Sequence, residues 1–109
     1  MSQLLVEPEL VNQLFVKQEL QLKPSQILRQ TTMIQHFGSY GNYNNVCALG
    51  AIARFLGWDG TYTDARNTPT EFINVAIPDI CIRGRVSRLN DDDHKSFAEI
   101  ADWLESRGY

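Results

Sequence analysis

Cys47 sits where a thiol can be made reactive. It opens the stretch CALGAIARFLG, residues 47 to 57. The apolar periodicity there, broken by one charge at Arg54, predicts a buried helix over Val46 to Leu56. A helix N-terminus carries about half a positive charge, which makes a thiol there easier to deprotonate. A nucleophile also needs a base within hydrogen-bond reach and a group that orients that base. The chain offers two imidazoles, His36 and His94, and one further thiol, Cys81.

CALGAIARFLG resembles the nucleophile helix of papain-like and bacteriocin-processing cysteine peptidases, and His94 follows Cys47 in the order those enzymes use. In them the histidine opens an apolar strand, whereas His94 sits in NDDDHKSF, a polar loop leading into a helix. His36 precedes Cys47, the reverse order. A papain-like cysteine hydrolase using Cys47 and His94 is thus the alternative reading. The favoured one makes Cys47 a small, apolar-tolerant core thiol.

Other reactive constellations are weaker. His36, Cys47, Cys81 and His94 are the right types for zinc, but zinc knuckles place two ligands two to four residues apart. No such pair exists in this sequence, so no metal and no cofactor are expected. Two cysteines do not make a disulfide framework, and the expectation is two reduced thiols, with a Cys47–Cys81 bridge left open. In NDDDHKS an EF-hand loop starting at Asp91 would put Lys95 at its fifth position and Ser96 at its sixth, so the calcium pattern fails. The run reads instead as a solvated acidic loop at a helix start. Arg83, Arg85 and Arg88 form a small basic cluster answering Asp91 to Asp93.

Thirteen acidic against ten basic side chains give a net charge of -3, which does not draw nucleic acid. SFAEIADWLESRG resembles the first helix of helix-turn-helix units, but no recognition helix follows it, so nucleic-acid binding is not expected. No run approaches the roughly 18 apolar residues of a membrane span. No cationic leader opens the chain, and a cytoplasmic location is expected. The loop GSYGNYNN, residues 38 to 45, combines rigid amphipathic rings with small polar residues, as binding loops do. Tyr40 and Tyr43 are its candidate contacts for a protein partner.

The elements that must position these residues are nearly all helical. Pro8 and the stripe Leu10, Val11, Leu14 and Phe15 suggest a first helix, ended by Pro24. A second is expected from Pro24 to about Phe37, on Ile27, Leu28, Thr31 and Ile34. Gly38 closes it, and Asn44 or Asn45 is the expected cap of the Cys47 helix. Thr68-Pro69-Thr70-Glu71 predicts a capping box and a helix to about Ala76. Residues 79 to 90 read as a helix capped by Asp79, although Ile80, Ile82, Gly84 and Val86 also alternate like a strand. Ser96 and Glu99 form a second capping box before the stripe Phe97, Ile100, Ala101 and Leu104.

The expected fold is thus mostly α: a compact bundle of about five helices, with a short two-stranded β element as the main variant, near 60 to 66 or 79 to 88. With 109 residues and 43% apolar side chains it forms a single domain, residues 1 to 23 serving as an N-terminal arm or interaction segment.

Cys47 to Ala51, Asn90-Asp91, and Ser96 with Glu99 also resemble the shared segments of an uncharacterised family of small bacterial and phage proteins. ILRQTTMIQHFG is similar to that family's first helix, and the similarity spans about residues 24 to 106. The chain departs from the pattern in lacking an aromatic residue directly before Cys47 or Asn90, and in its acidic run where a glycine is common. The resemblance implies no activity. It implies that Cys47, Asn90 and Asp91 share one environment, and the Asn90 and Asp91 side chains are suited to bonding backbone groups at a helix end. The favoured function is a non-enzymatic, cytosolic module that binds another protein or a second copy of itself.

Overall fold

The computed structural model describes residues 22 to 109. The expected helix on Leu10, Val11, Leu14 and Phe15 lies outside the described residues. Leu22 packs against the core, and the Lys23 N–H donates to the Gln26 side chain at 2.8 Å.

Five helices and one pair of two-residue strands follow. They are α1 (Pro24–Gln30), β1 (Ile34–Gln35), β2 (Asn45–Val46), α2 (Ala48–Leu56), α3 (Pro69–Ala76), α4 (Ile80–Asp91) and α5 (Phe97–Ser106). The described fold is thus mostly α with a short two-stranded element. Helix α2 is the centre, in contact with α1, α3 and α4, while α5 packs on α1 and α4. Six of its nine residues are buried, Ala48 to Ala53, which explains its near lack of charge.

The strands lie in neither of the expected regions. They pair in parallel, Ile34 opposite Asn45 and Gln35 opposite Val46. Helix α1 stops at Gln30 rather than near Phe37. Thr31 is extended, and its hydroxyl accepts from the Met33 N–H at 3.2 Å. Such local bonds, together with two consecutive β-branched threonines, compete with the helix. Ile34 and His36 then donate to the carbonyls of Asn44 and Val46 at 2.7 and 2.8 Å, a return the helical pattern concealed.

Residues 79 to 90 are helical, with the Asp79 side chain accepting from the N–H groups of Cys81 and Ile82. Gly84 is tolerated because it is exposed with open space around it. The Ser96–Glu99 capping box is formed, and Ile100, Ala101 and Leu104 are buried as a stripe. At α3 the expected box is absent: Thr68 makes no side-chain cap bond, and the helix starts on the extended backbone of Thr68 and the fixed φ of Pro69. Trp58 is fully buried beyond α2, and its indole N–H donates to the Thr61 carbonyl at 2.7 Å. That bond places Tyr62, whose ring meets the Trp58 ring edge-on at 5.5 Å.

Candidate functional site

The N-terminus of α2 is not capped by Asn44 or Asn45, which are needed at and beside β2. Cys47 is the N-cap, and its Sγ accepts from the Gly50 N–H at 3.3 Å. A second cap comes from another helix. Asn90 Oδ1, on the last turn of α4, accepts from the Ala48 N–H at 3.0 Å. The same oxygen accepts from Gln35 Nε2 at 2.9 Å, and Asn90 Nδ2 donates to the His36 carbonyl at 2.8 Å and to Asp91 Oδ1 at 2.7 Å. Asn90 is 1% exposed, and its one side chain bonds to α2, β1 and the loop after β1 from α4. Asp91 Oδ1 accepts in turn from the Gly38 N–H at 2.9 Å.

Above this network lies a pocket of about 430 Å³, lined by Gly38, Ser39, Tyr40, Cys47, Tyr62, Ser87 and Asp91. Two loops form its rim. Residues 38 to 45 lie against α2, where the Tyr40 carbonyl accepts from the Cys47 N–H at 3.3 Å. Residues 57 to 62 reach the same rim, and the Tyr62 hydroxyl donates to the Gly41 carbonyl at 2.9 Å. Arg54 braces both loops, donating from Nε to the Tyr43 carbonyl at 3.1 Å and from Nη1 to the Trp58 carbonyl at 2.6 Å.

Tyr40, Cys47 and Asp91 therefore share one pocket, with Asn90 beneath it. Tyr43 is exposed and lies over Gly60, outside the lining. His94 is also outside; its ring stacks on Phe37 with centroids 4.4 Å apart, and its backbone takes a left-handed φ of 51°. His36 Nε2 is within hydrogen-bond distance of the Ser39 hydroxyl, at 3.1 Å. Neither imidazole bonds to Cys47 among the described residues. Cys81 is an exposed free thiol at the start of α4, and Cys47 a buried one. No group of three or more His, Cys, Asp or Glu side chains among the described residues is placed to hold a metal ion. No described helix is long and apolar enough to cross a membrane.

The sequence reading did not single out Tyr62, Ser87, Ser39 or Gln35. Ser87 was within reach, being four residues before Asp91 on the same helical face. Tyr62 depends on a contact with a loop about twenty residues earlier, which no local pattern announces.

Burial pushes the Cys47 thiol up to about 11, against an ordinary value of 9.0. The Gly50 N–H opposes that shift and the Asp91 charge adds to it, so loss of hydration outweighs the helix terminus here. A two-unit rise leaves about a hundredfold less thiolate at neutral pH. Iodoacetamide at pH 7.5 is expected to label Cys81 first and Cys47 at least about a hundredfold more slowly than an unperturbed thiol. Comparable labelling of both cysteines would contradict the buried thiol. Because the folded value lies above the unfolded one, this contribution to stability is fully present below about pH 9. It is lost as pH rises toward about 11. The urea midpoint should therefore fall over that window, and fall less in Cys47→Ala.

No protein-family model, curated protein or solved structure matches the chain.

Proposed function

We propose that the chain is a non-enzymatic, cytoplasmic module that binds another protein through the rim of the pocket formed by residues 38 to 45 and 57 to 62. The observation that carries this reading is the fusion of the two loops into one surface. Tyr40 and Tyr62 flank a recess, and Tyr62 is 59% exposed although its hydroxyl is fixed. A ring held by one hydrogen bond and offered to solvent loses little freedom when a partner covers it, which favours tyrosine at binding surfaces. Tyr43, exposed beside Gly60, extends the same surface.

The rival use of Cys47 with His94 gains no support from the arrangement. The thiol is 6% exposed, bonded to a backbone N–H and raised to about 11, while the imidazole lies on Phe37. Kinship with the small bacterial and phage proteins that Cys47 to Ala51 and Asn90-Asp91 resemble is part of the proposal. Its support is the bond from Ala48 to Asn90, which joins two segments that lie far apart in sequence.

The test compares the full chain with Tyr62→Ala and Tyr43→Ala as immobilised baits, and all three by sedimentation at high concentration. The expected result is a protein partner, or a dimer, present with the wild type and depleted at least tenfold in the variants. Three monomeric proteins retaining identical sets of proteins would overturn the reading.

A further inference from the structure

The chemistry of the pocket names what it would take from a partner. Seven of the described residues line it, and Asp91 alone among these is a charged type, apart from the thiol, which burial keeps protonated. Asp91 Oδ1 is engaged by the Gly38 N–H and by Asn90 Nδ2, at 2.9 and 2.7 Å. No hydrogen bond reaches its second oxygen among the described residues, and Asp91 takes part in none of their ion pairs. Arg88, one turn earlier on α4, takes part in none of them either, and Arg83, two turns earlier, donates from Nη1 to the carbonyls of Ile77 and Pro78 at 2.6 and 3.0 Å. Asp92 and Asp93 follow Asp91 and keep the local field negative.

We propose that the pocket between Tyr40, Tyr62 and Asp91 seats the guanidinium of an arginine side chain presented by the protein partner. This rests on the reading of the chain as a protein-binding module. A carboxylate with one open oxygen supplies the charge. The two tyrosine rings supply the faces on which a planar cation stacks, an arrangement worth more as water leaves it. The Ser87 hydroxyl in the lining is a further acceptor for the five guanidinium N–H donors, while Ser39 Oγ already accepts from the Gly41 N–H at 3.3 Å and lies 3.1 Å from His36 Nε2. An ammonium would use the charge but neither the planar face nor the extra donors. A volume of about 430 Å³ accommodates the whole side chain.

The experiment titrates isotope-labelled full-length protein with N-acetyl-arginine methylamide, followed by amide chemical shifts. The citrulline analogue, which has the same shape without the charge, and the lysine analogue are the comparators. The expected result is saturable shifts confined to Gly38, Ser39, Tyr40, Ser87 and Asp91, with citrulline at least about tenfold weaker and lysine weaker than arginine. Asp91→Asn keeps an oxygen for the Gly38 N–H and should weaken arginine binding about tenfold. Tyr62→Leu removes a stacking face without touching Asp91 and should weaken it as well.

Equal binding of arginine and citrulline, or shifts spread over Asp92, Asp93 and Glu99, would overturn the proposal. So would tighter binding of the lysine analogue. Two results separate this proposal from the reading beneath it. A partner captured by the wild type and lost in Tyr62→Ala, with no binding of the arginine probe, sinks the guanidinium pocket and keeps the module. Probe binding with no partner and no dimer sinks both, and marks a site for a free small cation instead.

Discussion

Replacing Asn90 with leucine is expected to destabilise the fold by about 3–4 kcal/mol, since each buried polar group left unpaired costs about 1–3 kcal/mol. Leucine has the branched outline of asparagine and is bulkier, so the exchange leaves no cavity and the loss is polar, with any crowding adding to it. The Ala48 N–H is fully buried and loses its acceptor, and the His36 carbonyl loses its donor. The Gln35 amide is only half-buried and keeps a second bond, to the Lys95 carbonyl at 2.6 Å, so it adds less. In a domain of this size such a loss lowers the melting temperature by roughly 12–24 °C. Urea and thermal unfolding of the full chain measure it, and amide exchange at Ala48 should quicken in parallel. A change below about 1 kcal/mol would mean that the α2 terminus is held by Cys47 and its neighbours without Asn90.

The same residue marks the limit of what the sequence revealed. Helices α4 and α5 were legible because their start signals are local: Asp79 bonds two and three residues ahead, and Ser96 pairs with Glu99 three residues on. The buried stripe of α5 and the closed environment of α2 followed from periodicity and the absence of charge. What escaped depends on distant partners. Helix α1 ends at the local bond of Thr31, and the chain then pairs as β1 with a strand across the 36 to 44 loop, a partner that no local pattern announces. The cap of α2 is expected at Asn44 or Asn45, but Cys47 fills that place, and the amide that accepts from the Ala48 N–H stands 42 residues away. At the site, Tyr40 was visible from the composition of its loop. Tyr43 shares that composition and lies on the rim outside the pocket lining, because the Arg54 bond to its carbonyl and the close approach of Gly60 fix the backbone there.

Gly50→Ala is expected to destabilise the protein by about 2–3 kcal/mol, a cost of overpacking that exceeds the helix-propensity gain of about 1 kcal/mol. By propensity alone the exchange should stabilise α2. The close neighbour of Gly50 is loop backbone rather than another helix. A Cβ on Gly50 would lie 2.2 Å from the Tyr40 carbonyl oxygen and 3.1 Å from Val46 Cβ. That carbonyl has little room to retreat. It accepts from the Cys47 N–H, and the next residue, Gly41, has a φ of 88° and lies so close to Asn45 that a side chain there would overlap its carbonyl. The Tyr62 hydroxyl holds Gly41 from the far side. An added methyl group must therefore push the 38 to 45 loop outward as a unit, breaking the Cys47–Tyr40 bond and opening the pocket. Gly84→Ala is the internal control. It lies in α4 with nothing within 4 Å of a new Cβ, so it should stabilise by about 0.5–1 kcal/mol. Opposite signs for the two glycines in urea unfolding would show that the loop is clamped onto α2. A Gly50→Ala protein as stable as the wild type would show that the rim yields, and would remove the rigid tyrosine surface on which the binding reading depends.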